Sequence, residues 1–221
     1  MAVSCRITGC RGRASRFGRL CNAHKSRDRR HGDAGQHGVT AVHLKPYLKV
    51  ARSRIKKNAQ SRLWGQLEAR WDALVGYCRD QLAEHRTGRP FIVHGHQAAA
   101  AVVKIAEDVK PRDVIETVIA LYVMQDQEPR RFRSDRAFRA QLVRRVRALT
   151  DRNVGRYWDP DRGRTKRVYR DLPPRAVAVM GKWIAETLGV VGLKVAELER
   201  QDAEAKSAER KALGVALAEL K

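Results

Sequence analysis

The chain has 221 residues, with 46 Lys and Arg against 24 Asp and Glu and a formal net charge of +22. This length allows one ordinary domain with a small module, or two small domains. The charge excludes a neutral or acidic surface and favours nucleic acid as the partner over an acidic membrane or protein. A merely solvated surface in an arginine-rich proteome is the alternative.

The excess of positive over negative charge comes from two parts of the chain, which we call the first and second basic blocks. Residues 1–60 hold 15 Lys and Arg against 2 Asp and Glu, and residues 126–170 hold 15 against 6. Arg outnumbers Lys in the second block, and its planar guanidinium suits phosphates and guanine edges. Two separate basic blocks predict two contacts with nucleic acid.

The first 33 residues carry a metal-binding pattern. Cys5, Cys10, Cys21 and His24 follow the spacing C-x4-C-x10-C-x2-H. Three thiolates and one imidazole form a closed tetrahedral shell for a structural Zn²⁺. The segment has few large apolar side chains, so metal binding, worth about 10–16 kcal/mol in zinc-finger peptides, would stabilise its fold. A disordered basic tail is the alternative to this zinc-binding module.

Arginines surround the predicted zinc ligands on both sides. They are expected to contact phosphates. The residues are Arg11, Arg13, Arg16, Arg27, Arg29 and Arg30. The fourth cysteine, Cys78, lies alone in a helical pattern and is interpreted as a small core residue.

Residues 4–33, including the run Arg-Arg-His-Gly-Asp that ends at Asp33, resemble a small zinc module of bacteriophage and mobile-element proteins. That module often lies beside an HNH homing-type endonuclease domain. The resemblance implies DNA binding and a gene carried by a phage, prophage or plasmid in a bacterial host. The cysteine usage, with no signal peptide or membrane-spanning run, predicts a cytoplasmic, nucleoid-associated protein.

The rest of the chain is expected to be helical. Residues 34–45 are predicted to form a flexible linker, because they begin with a Gly-rich run. Apolar residues at helical spacing predict a long helical region over 46–86, beginning near Pro46. A helical domain over 87–189 is expected to contain helices at 96–109, 111–125 and 135–149. His94 and His96 are interpreted as N-terminal capping residues, since no acidic ligand accompanies them.

A β-hairpin is predicted over residues 156–169, where apolar and polar residues alternate around an Asp-Pro-Asp-Arg-Gly turn. Three helices followed by a basic hairpin match the order of a winged helix, and a helical bundle with a solvated basic face is the alternative. Arg136, Arg139 and Arg147 on the third helix are the expected base-edge contacts. Arg164, Lys166 and Arg167 are the expected contacts of the hairpin.

The C-terminal region is expected to form two helices. The first begins at Pro173-Pro174 and ends at Gly189. The second occupies residues 190–221 and has a thin apolar stripe. Packing on the same chain and pairing with a second chain, in a homodimer or a nucleoprotein assembly, are equally consistent with that stripe.

The sequence therefore predicts a mainly α protein with an N-terminal zinc knuckle and one hairpin. We expect a Zn²⁺-containing protein that binds duplex DNA, as a transcriptional or replication regulator or accessory factor. An RNA-binding or structural nucleoprotein component is one alternative. An HNH-associated nuclease is another, but no catalytic residues are predicted, since the acidic residues are scattered.

Overall fold

The computed structural model describes residues 3–219, except the side chains of Arg167, Gly214, Leu217 and Glu219. Over these residues the chain forms seven α-helices and one β-hairpin. In chain order they are α1 (Asn22–His31), α2 (Ala41–Lys57), α3 (Leu63–Arg86), α4 (Val93–Ala106), α5 (Pro111–Gln127), α6 (Asp135–Arg147), β1 (Val154–Asp159), β2 (Arg164–Tyr169) and α7 (Pro174–Glu219). The predicted mainly α fold with an N-terminal Cys/His segment and one hairpin is confirmed.

Helix α5 lies at the centre of the core. It begins with Pro111 in its first turn, and ten of its residues are buried. A helix that is apolar on nearly all sides requires neighbours around it. Helices α2, α3, α6 and α7 pack against α5, so the core is a helical bundle built around one central helix.

The predicted helical region over 46–86 is two helices, α2 and α3. Helix α2 begins at a capping box, in which Thr40 Oγ1 accepts a hydrogen bond from His43 N and His43 Nδ1 accepts one from Thr40 N. Pro46 lies inside α2, so the prediction that it opens the helix is wrong. The chain turns between the helices, where Trp64 Nε1 donates to Asn58 O at 2.8 Å.

The predicted linker over 34–45 is held against the helical bundle. Gln36 is only 1% exposed. Its Oε1 accepts from Arg133 N at 3.0 Å, and its Nε2 donates to Arg131 O at 3.2 Å. The segment predicted to be a linker is therefore anchored at this point, because one buried amide satisfies backbone groups just before α6. The predicted division of the chain into domains stays a prediction.

Helix α7 runs unbroken through Gly189, which was predicted to end a helix. A Cβ at Gly189 would lie 2.7 Å from Tyr122 Oη, and a Cβ at Gly192 would lie 2.4 Å from Tyr122 Cδ2. Because these glycines have no side chain, α7 can cross closely over Tyr122 of α5. Residues 200–213 of α7 are exposed.

The segment Pro174–Leu213 of α7 is, within residues 3–219, the one helix long and apolar enough to cross a membrane by length and composition. Its most apolar window has a mean hydropathy of 1.4 and is 44% buried inside the fold. No membrane-spanning run was expected from the sequence. The helix packs on α4, α5 and α6. An apolar composition is expected of a helix that is buried against other helices.

The hairpin forms where it was predicted, with Arg156 opposite Arg167 and Asp159 opposite Arg164. Gly163 ends its turn with φ +55°, a left-handed conformation that favours glycine. The order α4, α5, α6 and hairpin is that expected of a winged helix, but α1 and α7 also pack on α6. Only Asp135, Arg136 and Arg139, at the start of α6, are fully exposed.

Candidate metal centre and basic surface

The segment before α1 folds back on itself through backbone hydrogen bonds. Cys5 N donates to Gly12 O at 3.0 Å, and Ser15 N donates to Leu20 O at 2.9 Å. Gly9 has φ +77°, a conformation that suits glycine in the turn before Cys10. Cys21 is the N-cap residue of α1, so the turns bring the first two cysteines against the beginning of a helix.

The four predicted metal ligands meet at this point. His24 Nδ1 lies 3.2 Å from Cys21 Sγ and 3.5 Å from Cys5 Sγ, and the sulfurs of Cys10 and Cys21 are 3.9 Å apart. All four ligand atoms lie within 4.8 Å of one another. Tetrahedral Zn–S and Zn–N bonds of about 2.0–2.3 Å place ligand atoms about 3.5–3.8 Å apart. The cluster could therefore hold one metal ion.

Backbone N–H groups point at two of the sulfurs. Cys21 N donates to Cys5 Sγ at 3.3 Å, and Gly12 N donates to Cys10 Sγ at 3.4 Å. The backbone N–H groups of Ile7 and Cys21 lower the pKa of Cys5 to about 6. The pKa of Cys10 is raised, because burial and the neighbouring thiols outweigh the lowering by the Gly12 N–H. Since a metal binds thiolates, the lowered pKa of Cys5 favours binding.

Cys78 does not belong to this cluster. It is fully buried among the apolar residues of the core. Burial raises the pKa of its thiol to about 12, so the side chain stays a neutral thiol. The interpretation of Cys78 as a core residue is confirmed.

Helix α1, which carries His24, ends directly against α6. Its C-cap residue Gly32 has φ +81°, and a Cβ there would lie 2.7 Å from the backbone oxygen of Arg136. Any side chain at residue 32 would push the two helices apart. Glycine is therefore required both for the left-handed backbone and for the close contact.

A buried amide joins α1, the following segment and α6. Gln141 of α6 is 0% exposed. Its Nε2 lies 3.1 Å from His31 Nδ1, and its Oε1 accepts from Val39 N at 2.9 Å. Burial, followed by the charge of Arg144, lowers the pKa of His31 to about 4. The imidazole is therefore neutral near pH 7, and its Nδ1 accepts a hydrogen bond from the Gln141 amide.

Ion pairs bring the two basic blocks into contact. Asp171, which follows the hairpin, lies 3.4 Å from Arg30 Nε of α1 and also pairs with Arg144 of α6. Arg136 Nη2 lies 3.5 Å from Asp28 Oδ2 of α1. The first block, through α1, and the second block, through α6, therefore share one junction.

The predicted phosphate contacts of the first block face solvent. Arg27 is half-buried, and the others are exposed, namely Arg11, Arg13, Arg16, Arg29 and Arg30. The guanidinium carbon of Arg16 lies 5.3 Å from the centre of the Phe17 ring, which is itself 92% exposed. These positions leave the charged groups available to a partner.

The prediction that Arg147 contacts a base edge is corrected by the structure. It is 5% exposed, and its Nη2 donates to Asn153 Oδ1 at 2.8 Å and to Arg170 O at 2.9 Å. Its guanidinium therefore fixes the base of the hairpin and cannot reach a base edge. Arg136 and Arg139 are exposed and remain as the predicted contacts of α6.

The hairpin residues of the prediction lie in different surroundings. Arg164 is exposed, whereas Lys166 pairs with Asp159. The side chain of Arg167 lies outside the described part of the structure. Sequence reasoning did not name Tyr157 and Trp158 as site residues, yet they are 57% and 59% exposed. Their signal was present as two adjacent aromatics beside arginines.

His94 and His96 do not cap α4. The N-cap residue is Ile92, and no side chain caps the helix, so the capping prediction is wrong. His94 Nδ1 is buried without a hydrogen-bond partner, and the His96 ring lies 5.0 Å from the His85 ring. Across residues 3–219, only the Cys5–His24 cluster brings three or more His, Cys, Asp or Glu side chains close enough to hold a metal.

No family model, curated protein or solved structure matches this sequence. For residues 4–33 the structure supports a Cys/His cluster that could hold a metal, and no comparison supports a relation to phage zinc modules. What the protein does must follow from this cluster and from the arrangement of its charges.

Proposed function

We propose that the protein binds duplex DNA through one continuous basic surface that a zinc ion organises. The observation that carries this proposal is the junction of the two basic blocks, where α1 packs on α6 and Asp171 contacts both Arg30 and Arg144. Two blocks on opposite sides of the molecule could not contact one stretch of DNA together. Their junction instead supports a shared footprint on the phosphate backbone.

Zinc is the metal that suits this ligand set. Three thiolates and one imidazole without a carboxylate or an open position are typical of structural zinc sites. Because Cys21 and His24 lie at the start of α1, the ion would fix the loop that carries Arg11, Arg13 and Arg16 relative to that helix. Zinc would thereby set the position of half the basic surface.

The first turns of α6 would face the duplex, where their arginines could contact the base edges predicted for them or the phosphates beside the groove. A recognition helix contacts base edges chiefly through its N-terminal residues. Arg136 and Arg139 are the exposed basic residues at that end of α6. Arg164 of the hairpin would contact the adjacent backbone, as the wing does in a winged helix.

The biological role that fits these features is regulation or assistance, without cleavage. The resemblance of the zinc segment supports a phage or mobile-element protein that acts in transcription or replication. The exposed part of α7, residues 200–213, would pair with a second copy or with another component of a nucleoprotein complex. Such pairing would place two basic surfaces on one DNA site.

The test is a salt titration of binding to a duplex of about 30 base pairs, with single-stranded RNA as competitor. A protein that neutralises 6–10 phosphates loses roughly 10³–10⁵ in affinity between 50 and 200 mM salt. We expect a loss in that range, no cleavage with Mg²⁺, and weaker binding by Arg136→Gln. The matched control is Arg79→Gln, which removes an exposed arginine from α3 in the neutral segment. Binding that is nearly insensitive to salt, or equally weakened by both variants, would contradict the proposal.

RNA binding is the second candidate, and the hairpin favours it. Tyr157 and Trp158 are neighbours in a strand, so they project from opposite faces of a hairpin and are more than half exposed. Exposed aromatic rings beside arginines can stack on unpaired bases. Preference for the single strand in the competition, lost in Trp158→Ala, would favour this function over duplex binding.

A further inference from the structure

A small cavity opens at the junction of the two basic blocks. It has a volume of about 100 Å³ and lies between the end of α1, the start of α6 and the first turns of α7. A single water molecule needs roughly 10–15 Å³ of such space. The cavity can therefore hold several waters or a small oxyanion. We call it the arginine cavity, after the residues that line it: Arg29, Arg136 and Arg139.

The charge around the arginine cavity is unbalanced. Asp28 lies 3.5 Å from Arg136. In the described part of the chain, Arg29 and Arg139 have no hydrogen-bond or ion-pair partner. The side chains of three arginines thus line one cavity, and of these only Arg136 has a carboxylate partner among the described residues. Like charges held together are destabilising unless an anion or water shields them, so the cavity is suited to a negatively charged ligand.

The rest of the lining limits what that ligand can be. Val177, Ala178 and Ala140 supply apolar walls from α7 and α6. They offer no acceptor or donor side chain to a sugar or a base. Arginine forks bind phosphate oxygens in pairs of parallel hydrogen bonds. A single phosphate group matches both the size and the charge of the cavity.

We propose that the arginine cavity binds one phosphate of the DNA backbone and clamps α1 to α6 when the duplex is bound. This inference rests on the proposed function and names the site at which the two basic blocks act together. Arg29 comes from α1, whereas Arg136 and Arg139 come from α6. One phosphate would bridge them and offset the repulsion between their charges, so Arg136 and Arg139 would contact the backbone instead of the base edges predicted for them.

The arrangement also connects the metal to DNA binding. Arg29 lies on the helix whose start carries Cys21 and His24. Loss of the metal would free the start of that helix, so Arg29 would be held at the cavity only through the contact of the helix end with α6. The phosphate contact would then be weakened without any change in α6.

The experiment measures duplex affinity against salt for the wild type, Arg139→Gln and Arg29→Gln, each loaded with zinc. Gln keeps the part of the Arg139 side chain that faces α7, where the Cβ of residue 139 would lie 3.0 Å from a Cβ built at Gly181. Each variant should bind about tenfold more weakly and should reduce the salt slope by about 1, as expected for one lost phosphate contact. Arg139→Lys should keep the salt slope but lose part of the affinity, because it keeps the charge without the fork. Arg79→Gln is the matched control and should change neither.

The outcomes separate the cavity from the proposed function. If the wild type binds duplex and both Gln variants keep its affinity and slope, the cavity is not a phosphate site, although DNA binding stands. If the wild type fails to bind duplex, the proposed function is wrong, and inorganic phosphate becomes the probe. A thermal shift with phosphate in the wild type but not in Arg139→Gln would then retain the cavity as a site for a free phosphate. No such shift would overturn it.

Discussion

Gln141 Nε2 lies 3.1 Å from His31 Nδ1, at the point where the metal-binding segment meets the helical bundle. The same amide accepts a hydrogen bond from Val39 N through its oxygen. One fully buried side chain therefore holds two chain segments that precede it by about a hundred residues. This contact fixes α1 on α6, and with it the relative position of the two basic blocks.

Replacing Gln141 with Leu should destabilise the protein. Leu leaves His31 Nδ1 and Val39 N without partners in a buried site, and each unsatisfied group costs about 1–3 kcal/mol. We expect the free energy of unfolding to fall by about 2–4 kcal/mol in urea denaturation. Gln60→Leu, at an exposed loop position, is the matched control. An equal effect of both substitutions would show that the amide does not hold the junction.

Acid should weaken the folded state through His31. In the unfolded chain this residue takes up a proton below about pH 6.5, whereas in the folded chain its pKa is lowered to about 4 by burial and the charge of Arg144. Between these values the unfolded state binds more protons, so stability falls as the pH is lowered.

The matched variant for this pH effect is His31→Gln, which does not titrate. Arg144, Asp171, Arg30 and Arg27 surround His31 and act on its pKa. Both proteins contain them, so the difference between the two proteins isolates residue 31. Thermal melting between pH 7 and pH 4 should show a smaller loss of stability in the variant. Parallel curves would contradict the lowered pKa.

Two glycine substitutions should have opposite signs. A Cβ at Gly192 would lie 2.4 Å from Tyr122 Cδ2, whereas a Cβ at Gly76, inside α3, meets nothing within 4 Å. Overpacking costs about 1–3 kcal/mol, and Ala is favoured over Gly in a helix by roughly 1 kcal/mol. Gly192→Ala should therefore destabilise the protein, and Gly76→Ala should stabilise it. Denaturation of both variants checks this, and stabilisation by both would contradict the close crossing of α7 over α5.

Metal binding should depend on the cluster cysteines and not on Cys78. Cys10→Ser should lower the zinc content from one ion per chain towards zero, because a serine hydroxyl is a poor zinc ligand. Cys78→Ala, a change in the core, should keep the zinc content of the wild type. Elemental analysis of purified protein gives both values. Zinc retained in full by Cys10→Ser would exclude Cys10 as a ligand.

The Cys and His spacing was sufficient to predict the four-residue cluster that could hold a metal, because a tetrahedral site needs a fixed number of donors on short loops. The hairpin and α5 were also predictable from local patterns. The helix boundaries predicted at Pro46 and Gly189 were wrong. A capping box starts α2 before Pro46, and the contact with Tyr122 explains Gly189 inside α7. At Gly189 a tertiary contact outweighs local propensity, whereas at Pro46 the stronger signal is itself local, the capping box of Thr40 and His43.

Long-range polar contacts were beyond sequence reasoning. Gln36 and Gln141 resemble surface residues in the sequence, and only their burial shows that they hold the junction. Arg147 looked like its exposed neighbours, yet it donates to Asn153 and to the backbone of Arg170. Which arginine of a basic helix turns inwards depends on the segments that pack over it, and a single sequence does not specify them.

The salt slope of duplex binding, measured with and without zinc, decides whether a single zinc-organised surface contacts the DNA. If both basic blocks contact the same DNA and together neutralise six phosphates, the slope of log K against log salt should be about −5. Removal of zinc should make it shallower, because the arginines of the first block would no longer be held in place. A slope shallower than about −2, or one that zinc removal leaves unchanged, would contradict a single zinc-organised surface.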